Sequence, residues 1–343
     1  DSLIRLYPKE IVHALVMLIK SIPEWMKGKI NDLKKFVVDL LEANIMPHSC
    51  SVPVSISNST TSTNVPSKEL SSRIIEDSAL TLLGQILSVF GQDALPLDSD
   101  LITKMASLKL SESYIFCFTT LSKIENALPI EIFKKNISSK IQIELKGKNA
   151  DLALKFIAEL PPTLFESNTG SLKVIDWIQS AYVSGDVKTR CEAPGAIYKA
   201  STICKPEETK KILLELLNIA VFDESQKVRC SVLKVLKKNC SKELGQPDNM
   251  KFFEIYVNDE DHEVREIAFQ ILANLADFNP LYVSAITRSS LVDYFFTIRH
   301  VNSIRQRANI VETLPYLIKA ASVAIKTYSS GLVEIIMEIL SQH

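Results

Sequence analysis

Glycine is scarce, with nine in 343 residues, and none of them gather into the loop that cradles a nucleotide phosphate. Neither a His-Arg-Asp nor an Asp-Phe-Gly element is present, so these residues are not expected to transfer phosphate themselves. The six cysteines (Cys50, Cys117, Cys191, Cys204, Cys230 and Cys240) include no Cys-x-x-Cys pair and no disulfide-like framework, which suits a reducing cytosol. Five histidines (His13, His48, His262, His300 and His343) lie too far apart in sequence to suggest a metal cluster. His262-Glu263 opens like the zinc-protease His-Glu-x-x-His, but Glu266 stands where the second imidazole is needed, and the metal reading fails. No Ser/His/Asp or Cys/His arrangement stands out. We therefore assign no catalytic, cofactor-binding or metal residues. A net charge of −1 supplies no field toward nucleic acid or membrane, and no basic stripe with interleaved aromatics appears. No apolar run is expected to reach the ~18–20 residues that span a bilayer. The chain opens at Asp1 without a Met or a signal peptide, which points to a piece of something longer.

What is present is apolar and helical in spacing. Hydrophobic residues make up 46% and charged residues 23%, and Val, Ile and Leu recur at three and four rather than at two. An all-α chain is expected. Residues 1–46 read as amphipathic helices ("PKEIVHALVMLIKSI", "INDLKKFVVDLLEANI"). Residues 47–72, rich in Ser, Thr, Asn and Pro, read as a flexible linker that cannot bury enough to order itself. From residue 73 to 343 helices follow one another, broken by short stretches carrying Pro, Gly, Asn or Asp. Pro194 falls inside a helical pattern, where a kink is expected.

One pattern recurs. "NDEDHEVREIAFQILANL" carries Asp259, Val264-Arg265, Ala268 and Ile271-Leu272; "FDESQKVRCSVLKVL" repeats the order with Asp223, Val228-Arg229, Val232 and Val235-Leu236. We align a third copy at Ile304-Arg305, Ala308 and Val311, and a weaker one at Val187-Lys188, Cys191 and Ala193; successive copies then lie 41, 36 and 40 residues apart. A period near 40 that opens with an acidic turn and continues as a helix marks HEAT-type helix pairs. The fold expected is a HEAT-repeat α-solenoid, a superhelix of antiparallel helix pairs. An Asp ahead of each helix favours its positive end and caps free N–H groups. Small residues such as Ala268 let helices approach. The Arg of each copy is placed to meet the acidic turn of a neighbouring repeat. Such pairs are expected to be partly exposed, worth on the order of 0–1 kcal/mol each, and to fix the angle between repeats through the planar fork. A capped helix with a solvated Arg would account for a single copy equally well.

The order of elements across residues 206–296 resembles the N-terminal helical-repeat region of the target of rapamycin (TOR) kinases. The likeness rests on Leu244, Gln246 and Asp248-Asn249, a second acidic repeat, and Asn279-Pro280-Leu281-Tyr282-Val283. It extends thinly over about residues 73–343. The family's following Pro-x-(Leu/Ile)-Arg-Lys is reduced here to Arg288 in "SAITRSSLVDYF", so a divergent TOR and another phosphatidylinositol-3-kinase-related kinase both fit. The resemblance implies a non-catalytic scaffold segment of a serine/threonine kinase that controls growth in response to nutrients. ATP and Mg would be bound by a kinase domain beyond residue 343. It also implies docking of Raptor- or Rictor-type subunits, contact with a second kinase protomer, and a propeller subunit placed on the kinase domain. The location implied is cytoplasmic, with peripheral association on vacuolar, lysosomal or other endomembranes. A free-standing HEAT adaptor of the transport-receptor or phosphatase-scaffold type is the competing reading.

Overall fold

A computed structural model describes residues 8–43, 68–166, 171–239, 241–300 and 303–322, with single positions thereafter. Among the described residues all regular structure is helical. The helices are α1 (Pro8–Ser21), α2 (Pro23–Lys27), α3 (Ile30–Ala43), α4 (Lys68–Phe90), α5 (Ser99–Ser107), α6 (Glu112–Lys123) and α7 (Ile130–Ile132). A π turn over Phe133–Ser138 leads to α8 (Ser139–Glu144), then α9 (Ala150–Glu159), α10 (Thr163–Glu166) and α11 (Ser171–Ser184). The chain continues through α12 (Val187–Ser201), α13 (Pro206–Phe222), α14 (Gln226–Asn239), α15 (Ser241–Leu244), α16 (Pro247–Tyr256), α17 (His262–Leu275), α18 (Pro280–His300) and α19 (Ile304–Ala320). The fold is an all-α helical-repeat architecture. Contacts divide it into two compact units, Asp1–Trp177 and Ile178–His343.

In the first unit α4 is the hub, packed by α1, α3 and α6. The division therefore does not fall at the linker: the helices of residues 8–43 share a core with α4 because both bury apolar faces there. Leu80, Leu82, Leu83 and Ile86 of α4 meet a core that also holds Ile19, Val37, Tyr114 and Phe118. Gly84 lets α6 approach, since a Cβ there would stand 2.7 Å from the Phe116 ring and 3.2 Å from the Cys117 backbone. The expectation for residues 47–72 is changed at its end, because α4 begins at Lys68. Lys68, Glu69 and Leu70 are good helix formers that carry the pattern upstream. The rest of that stretch, 47–67, lies outside the described residues. The Arg73–Ala94 stretch is also long and apolar enough to cross a membrane, contrary to the sequence expectation, but half of its apolar window is buried inside the fold. Its packing on three helices accounts for that character.

The second unit stacks helices in two rows. One row runs α12, α14, α17, α19, each packed on the next; α13, α16 and α18 form the other. Chain chemistry sets the starts. Pro206, Pro247 and Pro280 open α13, α16 and α18, where a missing N–H costs nothing. Glu207 and Glu208 sit in the first turn of α13, and the Glu208 carboxylate accepts from the Lys205 N–H at 3.2 Å. α12 runs through Pro194, which is buried. Between α11 and α12 only glycine fits at 185, since a Cβ would lie 2.6 Å from the Ala181 carbonyl oxygen. α17 buries Val264, Ile267, Ala268, Phe269, Ile271, Leu272 and Leu275. At about 1.5–3 kcal/mol for each large apolar side chain, this face decides where the helix sits, and polar contacts adjust it.

Candidate functional site

The turns ahead of the α12–α14–α17 row carry the polar constellation. The Arg in each copy occupies the fourth position of its helix: Arg190 in α12, Arg229 in α14 and Arg265 in α17. From there a long side chain folds back over the turn behind its own helix. Nη1 of Arg229 donates to the carbonyls of Asp223 (3.1 Å) and Glu224 (3.3 Å). Nη1 of Arg265 does the same to Asp259 (2.6 Å) and Glu260 (2.9 Å). Each arginine thus staples the turn that begins its own helix.

The other arm reaches forward. Nη2 of Arg229 meets Asp259 Oδ1 and Asp261 Oδ2, both at 2.9 Å, with Glu260 Oε1 at 3.4 Å. Arg190 makes the rung before it, with Nε 3.2 Å from Asp223 Oδ2 and Nη2 3.3 Å from Oδ1. The Tyr182 hydroxyl donates to Asp223 Oδ2 at 2.6 Å; burial, then this bond to a carboxylate, raises its pKa. Two rungs of the expected ladder are therefore present, Arg190–Asp223 and Arg229–Asp259/Asp261. The third is not: Arg265 holds only its own turn and the Tyr294 hydroxyl, with no carboxylate in ion-pair range among the described residues.

Three sequence expectations are corrected. Asp223 and Asp259 do not cap the N-termini of the helices that follow them. Asp223 Oδ1 accepts from the Ser225 N–H (2.8 Å) and Asp259 Oδ1 from the Asp261 N–H (2.9 Å), which closes the turn locally. Side-chain caps do come from Asp186 and Ser303; Asp261 stands at the N-cap of α17 without capping, its Oδ2 being engaged by Arg229. The middle rung is buried on its arginine side, with the Arg229 side chain 6% exposed, while its acids range from Asp259 at 12% to Glu260 at 82%, so the pair as a whole is partly exposed, more deeply set at Asp259 than expected. Finally, both outer copies sit two residues later than the sequence pattern implies. Arg190, not Lys188, makes the rung, and Ala193, not Cys191, takes the small buried position. At the other end Ile304 is 86% exposed, Val311 is 51% exposed, and Arg305 and Ala308 face outward. Ile310, Thr313 and Leu317 are buried instead, matching Ala268, Ile271 and Leu275, so Arg307 takes the place of Arg265. Thr189 and Gln306 stand where Val228 and Val264 stand, so a search keyed on an apolar residue before Arg slips. Counting four residues from the Asp or Ser at the helix start finds all four arginines.

Val228, Val264 and Ala268 are fully buried on the packed row, as expected. Asn279 Nδ2 donates to the Gly245 carbonyl at 3.4 Å, tying the turn before α18 to the turn before α16, and Val283 is fully buried behind Pro280. Beside Arg265 a cleft of about 390 Å³ is lined by His262, Asp293, Tyr294, Gln306 and Asn309 among others. His262 Nε2 lies 2.7 Å from the Asn309 carbonyl. No group of three metal-capable side chains comes together among the described residues.

No family model matches the chain. Known proteins do. It is 26% identical over 192 residues to the serine/threonine-protein kinase tor1 of Schizosaccharomyces pombe, covering 51% of this chain and 8% of that kinase. Against TOR2 of Saccharomyces cerevisiae the identity is 26% over 141 residues (41% and 6%), and against the TOR kinase of rice 32% over 119 residues (34% and 5%). The chain resembles a segment of the TOR kinases. This TOR-like segment spans less than a tenth of the length of these relatives. Its repeat signature is legible in sequence because each turn is short and its arginine close by. Tyr182, Tyr294 and the cleft were not, because the residues that meet there come from different helices with no local pattern joining them.

Proposed function

We propose that this chain is a non-catalytic scaffold segment of a TOR-like serine/threonine kinase that couples nutrients to cell growth. In this reading the helix rows shape the kinase dimer and dock a Raptor- or Rictor-type subunit, while ATP and Mg are used by a kinase domain elsewhere in the parent protein. The complex acts in the cytoplasm, peripherally on vacuolar or lysosomal membranes. The observation that carries the reading is the similarity to TOR kinases of fungi and rice over a helical-repeat segment. Stacked helix pairs are suited to broad concave contact surfaces, and exposed Phe222, Phe278, Leu281 and Phe296 on the second unit supply apolar anchors of the kind partner surfaces use. Pull-down with the 343-residue chain tests it. A large Raptor- or Rictor-like subunit should be recovered in preference to the propeller subunit; the reverse preference would reject the assignment.

A further inference from the structure

We propose that the cleft between α17, α18 and α19 receives an acidic turn of a partner polypeptide, whose carboxylate completes the rung that Arg265 lacks. This deepens the docking reading above and rests on it. The chain itself supplies the precedent twice: the guanidinium at this helix position meets Asp223 in one rung and Asp259 with Asp261 in the next. The next repeat offers no matching acid: where the turn before α17 reads Asp259-Glu260-Asp261, the sequence before α19 reads Val301-Asn302-Ser303. Arg265 keeps the arm that staples its own turn, but its charge meets no carboxylate among the described residues.

The space beside it suits such a group. The cleft is about 390 Å³, within the range of side-chain and small-ligand pockets. Around Arg265 it is lined by Gln306, Asn309, His262 and Tyr294, the last two already engaged by the Asn309 carbonyl and by Arg265. A planar fork recognises a carboxylate with two parallel bonds. Asp259 and Asp293 also line the cleft, and their carboxylates disfavour a dianionic phosphate facing Arg265 more than a single carboxylate at the same position.

The probe is the chain's own template, an acetylated and amidated peptide Asn-Asp-Glu-Asp-His-Glu copied from residues 258–263, labelled for fluorescence anisotropy and titrated with the 343-residue chain. Saturable binding is expected. It should be absent for the peptide with Asn and Gln in place of the acids, and weakened about tenfold or more by Arg265→Gln. Arg265→Lys should weaken it less than Arg265→Gln does, because an ammonium keeps the charge and loses the fork. Ser303→Asp, which leaves Arg265 in place and adds a carboxylate at the exposed position matching Asp261, should compete from within and suppress binding. No saturable binding, binding indifferent to Arg265→Gln, or tighter binding of a phosphoserine version of the peptide would each overturn the proposal. If the peptide fails to bind while a Raptor- or Rictor-like subunit is still captured, the docking reading stands without this site. If the peptide binds through Arg265 and no such subunit is captured, it is the docking reading that falls.

Discussion

Replacing Arg229 with methionine keeps much of the apolar stem and removes five hydrogen bonds at once. The side chain is 6% exposed, and its Nη2 lies 2.9 Å from both Asp259 and Asp261. Without it Asp259, 12% exposed, keeps the Asp261 N–H but loses its cation, and the Asp223 and Glu224 carbonyls lose a donor. Breaking a buried pair by removing one partner costs about 3–5 kcal/mol. Asp261 is 35% and Glu260 82% exposed, so water recovers part of that, and about 2–4 kcal/mol is expected. Arg265→Met is the internal control. That arginine loses only carbonyl and hydroxyl bonds at a more open site, at about 1 kcal/mol. Urea unfolding followed by far-UV circular dichroism measures the difference. Because a repeat array can unfold in parts, hydrogen exchange at the first turns of α14 and α17 should locate the loss there. A double-mutant cycle with Asp259→Asn should show coupling of about 1–2 kcal/mol. An Arg229→Met cost below about 1 kcal/mol, or one equal to that of Arg265→Met, would refute the claim that burial sets the rung's worth.

Ala268 is fully buried on α17 between neighbouring helices of its row; Ala268→Leu should overpack this seam and cost about 1–3 kcal/mol, and an unchanged urea midpoint would show the seam to be loose. Gly185→Ala should destabilise by a similar amount, since its Cβ meets a backbone carbonyl at 2.6 Å that no rotamer change can move; an unaltered melting temperature would reject the steric argument. Lys140 donates to the Ala106 and Leu108 carbonyls and lies over the Tyr114 ring, and burial lowers its pKa from 10.5 to about 8. Between these values the unfolded chain holds a proton that the folded chain has released, so this group's contribution to stability rises with pH across that window and is flat below it. Urea midpoints at about pH 7.5 and 9.5 should therefore differ more favourably in the wild type than in Lys140→Met; equal pH dependence would show that the carbonyls hold the ammonium charged.

The amino-acid order by itself determined the class of fold and the spacing of its parts. Apolar residues three and four apart dictate helices, and turns of Asp, Asn, Gly and Pro end them. An acid and an arginine within one turn's reach mark the repeat at Asp223–Arg229 and Asp259–Arg265, because both ends of that staple lie within six residues. The same proximity failed at the outer copies. Thr189 and Gln306 do not look apolar, and only burial of Ala193 and Ile310 on the packed row fixes the register. Tertiary structure alone decided which arginine meets an acid. Arg229 and Arg265 are alike in sequence, yet one is enclosed by the next turn's carboxylates and the other borders a cleft. The acids that enclose Arg229 stand about 30 residues along the chain, where local pattern carries no information about distance.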